Sequence, residues 1–303
     1  MKIKHFLTLL DFKPEDIKLI LKTSTEFKES FPMSLRDKTV AGFFEKPSTR
    51  TRISMEVAVE SMGGHFIYID KTTTQISRGE SIKDFALVLS RYVDLLAARM
   101  YSHEKLIEMA KWSNVPVINM LTDRFHPLQA LADALTIVEK TRKEKPTIAF
   151  IGDGGANTCH SLMIISVKLG WNFRVGCPPQ YKPDSRILDK ATSAARDTGG
   201  SIKIFDDPYE AVKDVDVIYT DTWFSMGVKD IEERKKAFKN FQVNSGLVHL
   251  ASKDVIVMHC QPWFLGEEIT EDVAYGRHSV AFDQAENRLH TARAVLHYLV
   301  GNK

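Results

Sequence analysis

Cysteine is scarce in this chain. Cys159, Cys177 and Cys260 are the only three in 303 residues, too few and too odd in number for a disulfide framework, and the set fits a reduced cytosolic enzyme. An excess of one charge is missing as well: 41 basic residues face 39 acidic ones, leaving a formal net charge of +2. No basic run is interleaved with aromatics, so no nucleic-acid partner is expected, and any anion site must be local. Long apolar runs are absent. No segment approaches the length of a membrane span, and Phe6 to Leu10 is too short for the core of a secretory leader, so no membrane partner and a cytoplasmic location are expected. Short repeats and low-complexity tracts are lacking too, which excludes solenoids and disordered linkers.

What the chain does have is 44% apolar residues, enough for well-buried cores, and a length beyond that of a single core. Two domains follow. Strand-like runs alternate with helix-like runs, the pattern of an α/β protein whose parallel sheets carry helices on both faces. Thr39–Phe44, Phe66–Ile69, Leu95–Arg99 and Val115–Met120 read as strands of the first half. Its helices are Pro14–Lys28, Arg52–Met62, Ser81–Ser90, Ser102–Ser113 and Pro127–Thr141. The charged, proline-ended stretch from Lys140 to Pro146 marks a junction, which puts one domain at 1–141 and a second at 142–284, with the final helix from 285 packing back toward the first. The second half reads as strands at Thr147–Gly152, Asn172–Cys177, Ser201–Phe205, Val215–Thr220 and Val255–His259. Helices are expected at His160–Leu169, Ser185–Thr198 and Ala285–Val300.

Open parallel sheets collect ligands at the carboxyl ends of their strands, so the loops there are the places to search for chemistry. The first strand runs into Pro47-Ser48-Thr49-Arg50-Thr51-Arg52 and then a helix. Unpartnered first-turn N–H groups, hydroxyl donors and guanidinium beside the positive end of a helix dipole make a pocket for a small phosphorylated anion. The structural alternative is a Ser N-cap followed by surface arginines. The other loops of this half bring Gln75, Arg99, His126 and Gln129 to the same edge. Cations and hydroxyls suit a phosphate, whereas an imidazole and a carboxamide suit a planar carbonyl and NH2 group, so the set fits a small acyl phosphate with an amide-like end.

In the second half the strand ends carry Asn157, Asp221 through Ser225, and His259-Cys260-Gln261-Pro262, groups able to hold an amino acid. A helix N-cap at Asp221 and a buried small hydrophobe at Cys260 are the plainer readings. His259 and Cys260 are neighbours in a strand and should point to opposite faces, so no zinc site is expected. The turn Gly152-x-Gly154 lacks the third glycine of a dinucleotide fingerprint, and Phe173–Pro179 offers no acid for a ribose.

Taken together, Phe44-Glu-Lys-Pro-Ser48-Thr-Arg-Thr-Arg52, Arg78-Gly-Glu-Ser81, His126-Pro-Leu-Gln129, Asp221-x-Trp-x-Ser225-Met-Gly227, His259-Cys-x-Pro262 and Glu286-Asn-Arg288 resemble the aspartate/ornithine carbamoyltransferase family, in order and over nearly the whole chain. The Ser-Met-Gly and His-Cys-x-Pro elements are similar to its ornithine-using members. The resemblance implies that Ser48, Thr49, Arg50, Thr51, Gln75, Arg99, His126, Gln129, Cys260, Gln261 and Arg288 bind carbamoyl phosphate, Gln75 partly across a subunit boundary. It implies that Asn157, Asp221, Ser225 and Met226 bind L-ornithine. Two α/β domains joined by long helices, trimers or multiples of trimers, and no metal or organic cofactor are implied as well.

By the same resemblance, Asp221 and Cys260 orient the ornithine δ-amine and promote its deprotonation, while Arg50, Thr51 and His126 stabilise charge on the carbamoyl oxygen. The chain departs from the family's pattern at Gln261, where leucine is usual, and at Trp263–Phe264. Those departures keep putrescine, acylated ornithine and aspartate open as acceptors, and a non-catalytic binding protein of the same fold is the alternative of another class.

Overall fold

The computed structural model describes residues 4–224 and 230–301. The chain forms two compact units, one running to Leu131 and resuming at Arg288, the other spanning Ala132–Asn287.

The first unit is a four-stranded parallel sheet in the order β2-β1-β3-β4, with strands β1 (Thr39–Phe44), β2 (His65–Asp70), β3 (Leu95–Arg99) and β4 (Val117–Leu121). β1 and β3 are apolar and almost wholly buried, as strands covered on both faces must be, whereas edge strand β2 alternates with exposed positions. Gly42 in β1 is required by a close approach: a Cβ there would sit 2.2 Å from the ring of Phe66. β4 begins after Pro116, later than the apolar run alone suggests, because Pro116 has no N–H to give and contributes only its carbonyl, to Leu96. The helices are α1 (Pro14–Glu26), α2 (Thr49–Ser61), α3 (Ile82–Leu89) and α4 (His103–Trp112). The expected helix over Pro127–Thr141 is α5, and the passage between units falls within it.

The second unit is a five-stranded parallel sheet in the order β7-β6-β5-β8-β9: β5 (Thr147–Ile151), β6 (Asn172–Gly176), β7 (Ser201–Phe205), β8 (Val217–Thr220) and β9 (Ile256–His259). Its helices are α6 (Asn157–Lys168), α7 (Ser185–Thr198), α8 (Pro208–Val212), α9 (Ile231–Phe238), α10 (Ser245–Val248) and α11 (Glu271–Ala274). α12 (Ala281–Val300) carries the chain back to the first unit. α7 buries Ile187, Ala191 and Ala195, one residue per turn, and stops at Gly199 in the left-handed conformation. α6 starts at Asn157 rather than near His160: the turn after β5 is tight enough for Ala156 to serve as N-cap.

The register aligns the strand ends. Phe44 lies opposite Asp70 and Arg99, and Thr220 lies opposite Ile151 and His259. In each sheet one strand has neighbours reached by connections running opposite ways, β1 between β2 and β3, β5 between β6 and β8. Chain ends that diverge at such a point leave a crevice at the carboxyl edge, where doubly wound sheets bind ligands.

Candidate active site

In the first unit the crevice at β1 and β3 is lined by residues from four segments. Ser48 caps α2, its Oγ accepting the Thr51 N–H at 3.4 Å, and the first turn of that helix carries no acid. The plain N-cap expected of Ser48 is therefore real. Beyond it, the buried Thr51 hydroxyl receives Arg99 Nη1 at 3.4 Å and Arg288 Nη2 at 3.4 Å. Arg99 ends β3 at a register shift against β4, a bulge that re-aims its side chain. Arg288 Nη1 donates to Gln129 Oε1 at 2.6 Å, so the last helix does return its arginine to the first pocket. His126 caps α5, its carbonyl accepting the N–H groups of Gln129 and Ala130. Its imidazole is buried and held well below the ordinary 6.5, first by burial and then by the charges of Arg288 and Arg99. A neutral imidazole beside two guanidiniums can donate to an oxygen without adding a third charge.

Thr49 and Arg50 share the first turn of α2 with this cluster, Thr49 exposed and Arg50 half-buried. Gln75 is exposed on the turn after β2, and no described contact joins it to Thr51, Arg99 or Arg288. Sequence reading missed Glu45. Its largely buried carboxylate takes Lys71 Nζ at 3.1 Å and the Tyr101 N–H at 2.7 Å, tying together the loops after β1, β2 and β3. It lies within the Phe44–Arg52 element, where a charge directly after an apolar strand gave it no role of its own.

In the second unit Asp221, after β8, is the centre. Its Oδ2 accepts the Thr158 hydroxyl at 2.8 Å; its Oδ1 accepts the Thr222 N–H at 2.8 Å and the Cys260 S–H at 3.2 Å. Burial and then the charge of Asp221 push the Cys260 thiol well above its ordinary 9.0, so it stays protonated and donates. Asn157 is buried as the first residue of α6, immediately before Thr158. Thr158 was not anticipated, because a threonine in a helix start has no sequence signal beyond the cap. Ser225 and Met226 lie outside the described residues.

His259 and Cys260 do not diverge as the strand alternation implied. Strand pairing ends at His259, and ligand atoms of Asp221, His259 and Cys260 all lie within 4.8 Å of one another. The chain turns at Gln261, which has φ +58° and is followed by a cis peptide to Pro262. A side-chain-bearing residue held in the left-handed region costs about 1–3 kcal/mol and is retained only where its surroundings impose it. They do so here: the Gln261 N–H donates to His259 Nδ1 at 2.8 Å, which fixes the proton on Nε2, and Nε2 faces Glu268 Oε1 at 3.1 Å. The same Glu268 oxygen accepts the Phe264 N–H at 2.6 Å. Both ring nitrogens thus serve the turn that presents Cys260. Behind it, Gln284 accepts the His259 N–H at 3.0 Å and donates to Asp133 at 2.7 Å and to the Tyr219 hydroxyl at 3.2 Å. Trp263 packs edge-on against His259, Tyr275 and Phe282.

One unit therefore presents two guanidiniums, hydroxyls and a neutral imidazole at a sheet switch point, and the other an acid, a thiol and a carboxamide at the equivalent place. The family model for the aspartate/ornithine carbamoyltransferase carbamoyl-P binding domain matches residues 4–139, and that for the Asp/Orn binding domain matches residues 144–299. The chain belongs to the aspartate/ornithine carbamoyltransferase family. Among relatives, the ornithine carbamoyltransferase of Pyrococcus horikoshii is 48% identical over 99% of this chain and 97% of its own length. The anabolic ornithine carbamoyltransferase of Pyrococcus furiosus is 47% identical over 98% and 96%. Among solved structures, ornithine carbamoyltransferase from Pyrococcus furiosus superposes with a TM-score of 0.95 at 47% identity, covering 99% of this chain and 98% of that one. The anabolic enzyme from Campylobacter jejuni gives 0.96 at 39% identity, covering 99% and 100%.

Proposed function

We propose that this chain transfers the carbamoyl group of carbamoyl phosphate to the δ-amine of L-ornithine, giving L-citrulline and phosphate, in the biosynthetic direction that leads to arginine. The observation that carries the reading is the convergence of Arg99 and Arg288 on Thr51 beside a neutral His126. Two like charges brought to one hydroxyl are stabilised by a dianionic ligand, and the acid-free first turn of α2 adds N–H groups and the half-buried cation Arg50. In this reading Ser48, Thr49, Arg50 and Arg99 hold the phosphate, and Thr51, His126, Gln129 and Arg288 hold the carbamoyl oxygen and amide. Gln75, exposed on the turn after β2, serves a neighbouring subunit of a homotrimer or multiple of trimers.

Asn157, Asp221, Ser225 and Met226 bind ornithine. The δ-ammonium must shed a proton before its nitrogen can attack. Asp221, an acceptor already ordered by Thr158 and Cys260, holds and orients that group. As C–N bond formation proceeds, charge grows first on the carbamoyl oxygen and then on the departing phosphate. Fixed guanidinium and imidazole donors stabilise both without reorganising. Among the described residues no helix is long and apolar enough to cross a membrane, in keeping with an enzyme of the cytoplasm.

The test is purified protein with carbamoyl phosphate and a panel of ornithine, putrescine, N-acetylornithine and aspartate, scored by ureido product. Citrulline from ornithine is the expected result. Product with another amine and none with ornithine overturns the acceptor assignment.

A further inference from the structure

We propose that Arg234 is a positioning residue for the amino-acid half-site, holding the loop that leads to Asn157 and Thr158 in register with the segment that carries Asp221. The inference rests on the ornithine reading of that half-site and adds a residue outside every motif that pointed to it.

Arg234 lies in the charged helix α9, where its spacing marks it as one more solvated side chain. The structure gives it another place, with its side chain only 13% exposed and that of Asp153 only 7%. Nη1 donates to Asp153 Oδ2 at 2.6 Å and to the Trp223 carbonyl at 3.1 Å, while Nε reaches Asp230 Oδ1 at 3.4 Å. The guanidinium carbon sits 4.7 Å from the centre of the Tyr181 ring, in the loop after β6. One side chain therefore touches the loops after β5, β6 and β8.

Asp153 passes this restraint on. Its Oδ1 accepts the Gly155 N–H at 2.9 Å and its carbonyl accepts the Ala156 N–H at 3.1 Å, so the carboxylate fixes the turn that ends at Asn157. Gly154 completes the fit, since a Cβ there would come within 2.7 Å of the Tyr181 carbonyl. On the other side, Trp223 is two residues from Asp221. The two loops meet again where the Thr158 hydroxyl bonds Asp221 at 2.8 Å. A relative slip of the loops would break that bond and swing the carboxylate that orders the acceptor.

The planar fork is what the site needs, because it bonds an acid and a carbonyl while stacking on a ring. Arg234→Lys keeps the charge and loses the span. Steady-state kinetics of Arg234→Lys should raise KM for ornithine about tenfold or more, as small misplacements of a binding group do, and leave KM for carbamoyl phosphate within about twofold. A merely structural role would lower the folded fraction, and with it kcat, but leave both KM values in place. An unchanged ornithine KM in Arg234→Lys overturns the proposal.

A second variant pair tests the linkage to Asp153. If the two act as one unit, Asp153→Asn with Arg234→Gln should raise the ornithine KM no more than Arg234→Gln alone, within about twofold. Additive losses overturn the coupling. Should wild-type protein turn over a different amine, the acceptor assignment falls, and the same split, read with that amine, decides the role of Arg234.

Discussion

The two half-sites solve opposite electrostatic problems. In the first unit Arg99 and Arg288 converge on one hydroxyl beside a histidine kept neutral first by burial and then by their charge. In the second, Asp221 already takes hydrogen bonds from Thr158, Thr222 and Cys260, and the turn around Cys260 is closed by His259 and Glu268. The lesson is a division of labour. In the function proposed above, one unit supplies cations to the donor's phosphate, and the other uses its hydrogen bonds to hold an acid in a fixed direction for an amine.

That contrast can be broken at its strongest points first. Arg99→Met should lower kcat/KM about 10²- to 10³-fold, the usual cost of a preorganised donor to developing charge, while thermal stability changes far less than the rate. Steady-state rates and a melting curve read both; a loss of stability matching the loss of rate would make Arg99 a structural residue. Asp221→Asn should cost comparably in kcat/KM for ornithine, yet leave carbamoyl phosphate binding intact by calorimetry. Weakened donor binding in that variant would erase the division between units.

Stability and pH sharpen the comparison on a smaller scale. His126 is neutral in the fold because burial and the neighbouring arginines depress it below the unfolded value of 6.5. Below that value the unfolded chain binds a proton that the native chain refuses. Stability is therefore held above about pH 6.5 and lost as pH falls from there toward the depressed native value. His126→Gln should flatten that acid limb in urea titrations between pH 7 and 5, and an unaltered limb would assign it to other groups. The smallest effect concerns Cys260. Burial and Asp221 keep its thiol protonated, so iodoacetamide should alkylate it slowly at neutral pH and faster in Asp221→Asn. A slower reaction in the variant would mean that Asp221 activates the thiol instead.

The sequence was legible where function is written locally. Ser48 to Arg52 sits at a strand-to-helix junction, and a helix cap with cations beside it is a short-range pattern, so this helix start could be read from the sequence. Arg288 could not be placed from spacing, because its partners Gln129 and Thr51 lie 159 and 237 residues away in the chain. Glu45, Thr158, Gln284 and Glu268 went unread for the same reason: each is polar and ordinary in its own segment and acquires meaning from a partner on another loop. The opposite-face expectation for His259 and Cys260 failed because alternation holds only while a strand is paired, and pairing stops at His259. α9 escaped notice since a helix reading Ile-Glu-Glu-Arg-Lys-Lys-Ala-Phe buries only Phe238 among its apolar residues and so shows little periodicity.

Calorimetric binding of carbamoyl phosphate, without ornithine, to wild-type and Arg288→Met proteins tests most directly whether the arginine-lined cluster is the donor site. The account predicts binding to the wild type and affinity weakened by about tenfold or more in the variant, the equivalent of losing a charge-assisted hydrogen bond. Equal affinity in the two proteins would contradict it.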